Sequence, residues 1–271
     1  MKKFFVATFL AVTMLVNVAS AAPAKMHTPN REKIYQVALL QSLAMGYFDG
    51  SITVKDLKTH GDTGIGTFEG LDGEMIVLDG VVYRANQDLK INVVKDDVLV
   101  PFSNVTFFEK DFSVKLADVK DKAAFEKILD EQVNKHGRNS FYVVKVSGTF
   151  NEILIRSEAG AKEPYPTLVE ALKTQKEITP KNISGTVVGL YCPDFMLSLN
   201  STGWHFHFIS ADKKIGGRVL DLNVKSGEVQ FDKTDAFQMD LPKKENFHAL
   251  NFKTNMTEDI RKAEQDVQGG K

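Results

Sequence analysis

The spacing of hydrophobic and polar positions changes period several times along the chain, and those changes predict its elements. Between Asn30 and Phe48, Ile34, Val37, Ala38 and Leu40 predict a helix that stops near Gly50. The period then shortens. Glu74 to Leu78 and Val81 to Ala85 flank Asp79-Gly80, a pair that tolerates positive φ at both turn positions and so predicts a two-residue hairpin. Strands are predicted around Lys90 to Val94, Thr106 to Phe108 and Phe112 to Leu116. Ala124, Ile128, Leu129 and Val133 return to helical spacing and end before His136-Gly137. Two strands follow, Ser140 to Val146 and Asn151 to Arg156, with Gly148 between them.

Ser157 to Pro166 combines Gly, two Pro and mixed charge, so it is expected to join two domains. After a short helix from Leu168 to Lys173, strands are predicted at Ile183 to Tyr191, Trp204 to Ser210, Arg218 to Val224 and Glu228 to Phe231. The last two are joined around Ser226-Gly227. A polar helix from Glu258 to Val267 closes the chain. The expected class is α+β, with mixed and antiparallel sheets and flanking helices in two lobes, 30–160 and 161–267.

Residues 1–21 are read apart from these lobes. Lys2-Lys3 precede an apolar run from Phe4 to Ala19, and Ala19-Ser20-Ala21 supplies the small residues that a signal peptidase needs. Cleavage is expected after Ala21, with export to a periplasm or the medium. The run is short for a bilayer span and no second one follows, so no membrane anchor is expected.

Composition adds exclusions. The net charge of −1, with both signs interspersed, gives no basic stripe for nucleic acid. Cys192 is the single cysteine, so no internal disulfide can form and the core must suffice. Two copies could pair through a sheet edge as a homodimer.

Chemistry concentrates in the C-terminal lobe, in the hairpin from Gly203-Trp204-His205-Phe206-His207-Phe208-Ile209-Ser210 through Asp212-Lys213-Lys214 to Gly216-Gly217-Arg218-Val219-Leu220-Asp221. Alternation projects His205 and His207 to one face and the aromatic residues to the other, which half-builds a metal site. With the turn near Asp212 and Lys213, position 218 faces His207, where a third nitrogen donor would complete the set. Arg218 stands there, and a guanidinium offers no lone pair and repels a cation.

Three further features carry less on their own. The stretch from His60 to Glu74 is rich in glycine, as backbone passing close to something requires, but it lacks the lysine and hydroxyl of a phosphate loop. Arg156 ends an apolar strand, where its planar fork could hold a carboxylate or form a structural salt bridge. Glu264 lies on the terminal helix.

In order and wording these features resemble the α-acetolactate decarboxylase family from about Ile34 to Glu264. The resemblance rests on Thr59-His60-Gly61-Asp62, Gly64-Ile65-Gly66-Thr67-Phe68, Leu71-Asp72-Gly73-Glu74, Arg156-Ser157, Pro164-Tyr165, Gly189-Leu190-Tyr191, the two strands of the hairpin and Asp240-Leu241-Pro242. It implies a carboxy-lyase that converts acetolactate to acetoin with a zinc ion held by three histidines. Two of them fall on His205 and His207, and the third falls on Arg218. The metal-proximal carboxylate falls on Glu74, the substrate-contacting arginine on Arg156 and the C-terminal catalytic glutamate on Glu264.

If Arg218 turned outwards to Asp221 or Asp212, His205, His207 and Glu74 would remain as a three-ligand site. Cys192 could supply a soft ligand, but nothing in the spacing favours that role over a buried thiol. The alternative is a metal-free or repurposed homologue, in which Arg156 and Arg218 line a cationic pocket for a small hydroxy or keto acid.

Overall fold

A computed structural model describes Met1 and residues 31–264, so the expected signal segment after Met1 and the chain beyond 264 lie outside the described residues. The strands are β1 (Ile34–Val37), β2 (Ile52–Thr53), β3 (Thr63–Thr67), β4 (Glu74–Leu78), β5 (Val81–Ala85), β6 (Ile91–Val93), β7 (Leu99–Val100), β8 (Ser103–Thr106), β9 (Phe112–Val119), β10 (Phe141–Ser157), β11 (Lys176–Ile178), β12 (Lys181–Cys192), β13 (Gly203–Ser210), β14 (Gly216–Thr234) and β15 (Phe237–Asp240). The α-helices are α1 (Leu40–Ala44), α2 (Val54–Leu57), α3 (Lys122–His136), α4 (Leu168–Ala171), α5 (Glu245–His248) and α6 (Thr257–Glu264). Among the described residues no helix is long and apolar enough to cross a membrane.

One sheet has the order β15-β1-β8-β3-β4-β5-β6, and the other β11-β10-β12-β13-β14-β9. Because β10 also pairs with β14, the strands β10, β12, β13 and β14 close into a ring. This is the α+β class expected, and the core explains its build. Phe125, Leu129 and Val133 of α3 cover one face of the second sheet, packing with Phe150, Phe206 and Phe208. Ile65 and Ile76 of the first sheet pack with Val188, Leu190 and Ile209 of the second, which holds the sheets together.

Neither sheet divides near residue 160. β9 and β10 precede that point yet belong to the second sheet, while β15 follows it and pairs in parallel with β1 of the first. Ser157 to Pro166 has the composition of a linker, but its first residues are packed: the Ser157 hydroxyl donates to the Ala85 carbonyl at 2.8 Å, and the Ala161 N–H to that of Gly70 at 2.6 Å.

The N-terminal helix expected from Asn30 is a strand followed by one short helix. Ile34 to Val37 lie between β15 and β8 and are buried throughout, so the apolar positions do not alternate as a half-exposed strand would. Ala38, at φ 56°, separates this strand from α1.

The strand pairs expected on either side of Gly148 and of Ser226-Gly227 are each continuous, as β10 and β14. Gly148 lies opposite Gly227, and a Cβ on Gly148 would come within 2.5 Å of the Ser226 carbonyl oxygen, so these glycines mark close backbone approach instead of turns. Asp79-Gly80 is a turn as expected, with φ of 51° and 79°.

Candidate active site

β13 sends Trp204, Phe206 and Phe208 into the core beneath α3, where the Trp204 indole N–H donates to Asp130 at 2.9 Å. Its other face carries His205 and His207 towards β4 of the opposite sheet. His207 Nδ1 lies 2.8 Å from the Met75 carbonyl oxygen. A carbonyl only accepts, so Nδ1 carries the hydrogen and Nε2 of the neutral ring presents a lone pair. That Nε2 stands 3.1 Å from His205 Nε2 and 3.3 Å from Glu74 Oε2. A cation placed between His207 Nε2 and Glu74 Oε2 would be shared by an imidazole nitrogen and a carboxylate oxygen.

Glu74 opens β4 and is 7% exposed. Arg218 lies opposite His207 in the β13–β14 register, as the hairpin spacing predicts. It does not swing outwards: it is 4% exposed and lines the same cavity as both histidines. The outward partners are engaged elsewhere, Asp221 by the backbone N–H groups of Lys122 and Leu222, and Asp212 by the Ser210 hydroxyl. His205 is held well below the usual histidine range, first by burial and then by the charge of Arg218. It is therefore neutral and able to act as a donor.

Arg156 sits on β10 directly opposite Arg218 and is also buried. Its guanidinium donates to the Gln175 side chain and to the Ala263 carbonyl, which brings the end of α6 beside it. Glu264 is the last described residue of that helix, and its side chain lies outside the described residues. Cys192 lies in the core between the sheets, away from this cavity, and burial pushes its thiol up, so it is not a donor here.

Sequence reasoning missed Glu158. It is 1% exposed, lines the cavity and lies within hydrogen-bonding reach of Glu74. Burial raises its carboxyl well above the usual carboxylate range, as does the charge of Glu74, against the opposing pull of Arg156 and Arg218. Its position two residues after Arg156 was the available signal, obscured by the linker-like composition around it.

The cavity lined by Glu74, Arg156, Glu158, His205, His207 and Arg218 measures about 30 Å³, enough for an ion or about two waters. Leu43, Ile65, Phe102 and Leu168 are among the apolar residues of its wall. Among the described residues no three His, Cys, Asp or Glu side chains already close around one point. His205, His207 and Glu74 form a chain with His207 in the middle. Two imidazole nitrogens and a carboxylate are nevertheless a donor set whose chemistry suits zinc.

A sequence profile described as alpha-acetolactate decarboxylase matches residues 34–254. The chain is 39% identical to the alpha-acetolactate decarboxylase of Methanosarcina mazei over 231 residues, covering 85% of this chain and 80% of that protein. It is 33% identical to that of Brevibacillus brevis over 263 residues, covering 97% and 92%. Among solved structures, the alpha-acetolactate decarboxylase of Bacillus subtilis strain 168 superposes with a TM-score of 0.83 at 32% identity, covering 86% of this chain and 99% of that one.

Proposed function

Because the chain belongs to the alpha-acetolactate decarboxylase family, we propose that it is a carboxy-lyase releasing carbon dioxide from 2-acetolactate to give acetoin, with zinc held by His205, His207 and Glu74. The observation that carries the reading is the meeting of these three residues with Arg156 in one buried cavity.

Loss of carbon dioxide from a β-keto acid leaves an electron pair that flows into the adjacent carbonyl and forms an enediolate. A divalent ion in this site would polarise that carbonyl and offset the developing negative charge. Arg156 positions the substrate's carboxylate, its guanidinium plane fixed by Gln175 and the Ala263 carbonyl so that little order is lost on binding. His207 is aimed by its bond to the Met75 carbonyl. A glutamate, Glu264 or Glu74, returns a proton to the carbon left behind.

Arg218 favours a second reading, a metal-free protein that binds a small hydroxy or keto acid between two guanidiniums. Acetoin release from acetolactate, measured beside zinc content on protein purified without chelator, separates the two. Stoichiometric zinc with turnover supports the first, and a zinc-free, inactive protein that binds small carboxylates supports the second. The reading extends to export, supported by Lys2-Lys3, the apolar run and Ala19-Ser20-Ala21. N-terminal sequencing of protein recovered outside the cytoplasm tests that step, with Ala22 expected first.

A further inference from the structure

Resting on the zinc reading above, we propose that Glu158 is a fourth protein donor to the ion, supplying what position 218 cannot, so that the site is two imidazoles and two carboxylates. The first support is an unsatisfied atom. Glu158 is almost fully buried, and its Oε2 has no hydrogen-bond partner. Leaving a carboxylate oxygen desolvated and unpaired is costly, and such an atom in a native fold points to an occupant that satisfies it.

The second support is the company it keeps. Glu158 lines the same cavity as Glu74, His205 and His207, and Glu74 Oε2 lies 3.3 Å from His207 Nε2. A single cation among these groups would take the orphaned Glu158 oxygen together with the Glu74 carboxylate and the two imidazoles.

The third is position 218. Arg218 faces His207 where a third imidazole would otherwise sit and cannot itself coordinate, so a further donor has to come from elsewhere in the cavity that Glu158 lines.

The test is zinc affinity by competition with a chromophoric chelator, with stoichiometry by mass spectrometry, on full-length mature protein and on Glu158→Gln, Glu158→Asp, E158Q/R218M and E158Q/R218H. Thermal melts verify that each is folded. Wild type should hold one zinc per chain. Glu158→Gln should bind it more weakly by at least about 100-fold, beyond the usual effect of a residue one shell further out, with Glu158→Asp between the two.

E158Q/R218H should regain affinity, because histidine restores a donor, whereas E158Q/R218M should stay weak. Recovery in E158Q/R218M would reduce Glu158 to a counter-charge and overturn the donor role. Wild-type affinity in folded Glu158→Gln would overturn it as well. A wild-type protein that takes up no zinc overturns the metal reading itself, a result distinct from either.

Discussion

Arg156 on β10 and Arg218 on β14 are direct cross-strand partners, two buried cations side by side on one face of the sheet. Like charges in that relation destabilise a sheet unless something separates or neutralises them. At an effective dielectric of about 20, two unit charges about 4 Å apart repel by about 4 kcal/mol. Arg156 meets this by directing its fork to Gln175 and the Ala263 carbonyl, and both guanidiniums act on the Glu158 carboxyl. The row continues to His207 on one side and Glu177 on the other, so one line across four strands runs from a candidate ligand to an acidic edge.

The held fork makes Arg156→Lys a stringent substitution. Lysine keeps the charge but offers a point donor that cannot serve Gln175, Ala263 and a substrate carboxylate in one plane. We expect kcat/KM for acetoin release to fall by about 100-fold or more, with kcat falling as well as KM rising, because orientation is lost along with binding. Steady-state kinetics on the folded variant measure this, and unchanged kcat would mean that Arg156 does not orient the substrate.

His205→Ala and His207→Ala should both abolish zinc retention and lower turnover by about 1000-fold or more, as removal of a primary ligand does. They should differ in stability. His207 is tied to the Met75 carbonyl of the opposite sheet, so its loss leaves a buried acceptor unpaired and should cost about 1–3 kcal/mol more than the loss of His205. Metal analysis, urea unfolding and acetoin assays on the same preparations give the three readouts. Turnover undiminished in His205→Ala would defeat the metal mechanism.

Much of the second sheet was legible because alternation is a strong signal there. The placement of His205 and His207 on one face, and of Arg218 opposite His207, followed from the two-residue period and a count through the turn. The first strand was not legible, since Ile34 to Val37 are buried between two neighbours and leave no period to read. Gly148 and Gly227 misled for a related reason: a glycine that permits strands to touch looks the same in sequence as one that reverses the chain. Glu158 was hidden because an acidic residue beside Gly and Pro reads as solvated loop, and only three dimensions bring it against Glu74.

Gly148→Val tests the close approach of β10 and β14. The added side chain would start within 2.5 Å of the Ser226 carbonyl oxygen, so the strands must separate. A loss of about 3 kcal/mol or more is expected, as for other overpacked sites. Activity should fall with it, because Arg156 and Arg218 ride on these two strands. Urea unfolding followed by assay of the folded fraction measures both, and an unperturbed midpoint would show that the strands can yield locally.

Asp232 gives the fold a pH dependence separate from the catalytic cavity. Its side chain is 2% exposed, and its carboxyl is pushed up to about 7, chiefly by burial and further by Glu32, Asp111 and Glu109, although the Glu109 backbone N–H bonds to it at 3.1 Å. The same group in the unfolded chain titrates near 3.8, so between these values the folded protein holds a proton that the unfolded chain has released. Its contribution to stability is therefore full below about pH 4, falls as pH rises towards 7 and is flat above. Between pH 5 and pH 8 the loss should be on the order of 2–3 kcal/mol. Asp232→Asn can still accept the Glu109 N–H but does not ionise, so its stability should decline less over that interval, by the same amount. Urea midpoints of both proteins at pH 5 and pH 8 decide the matter: parallel declines would mean that Asp232 is already ionised in the fold at pH 5, with its charge balanced by a neighbour.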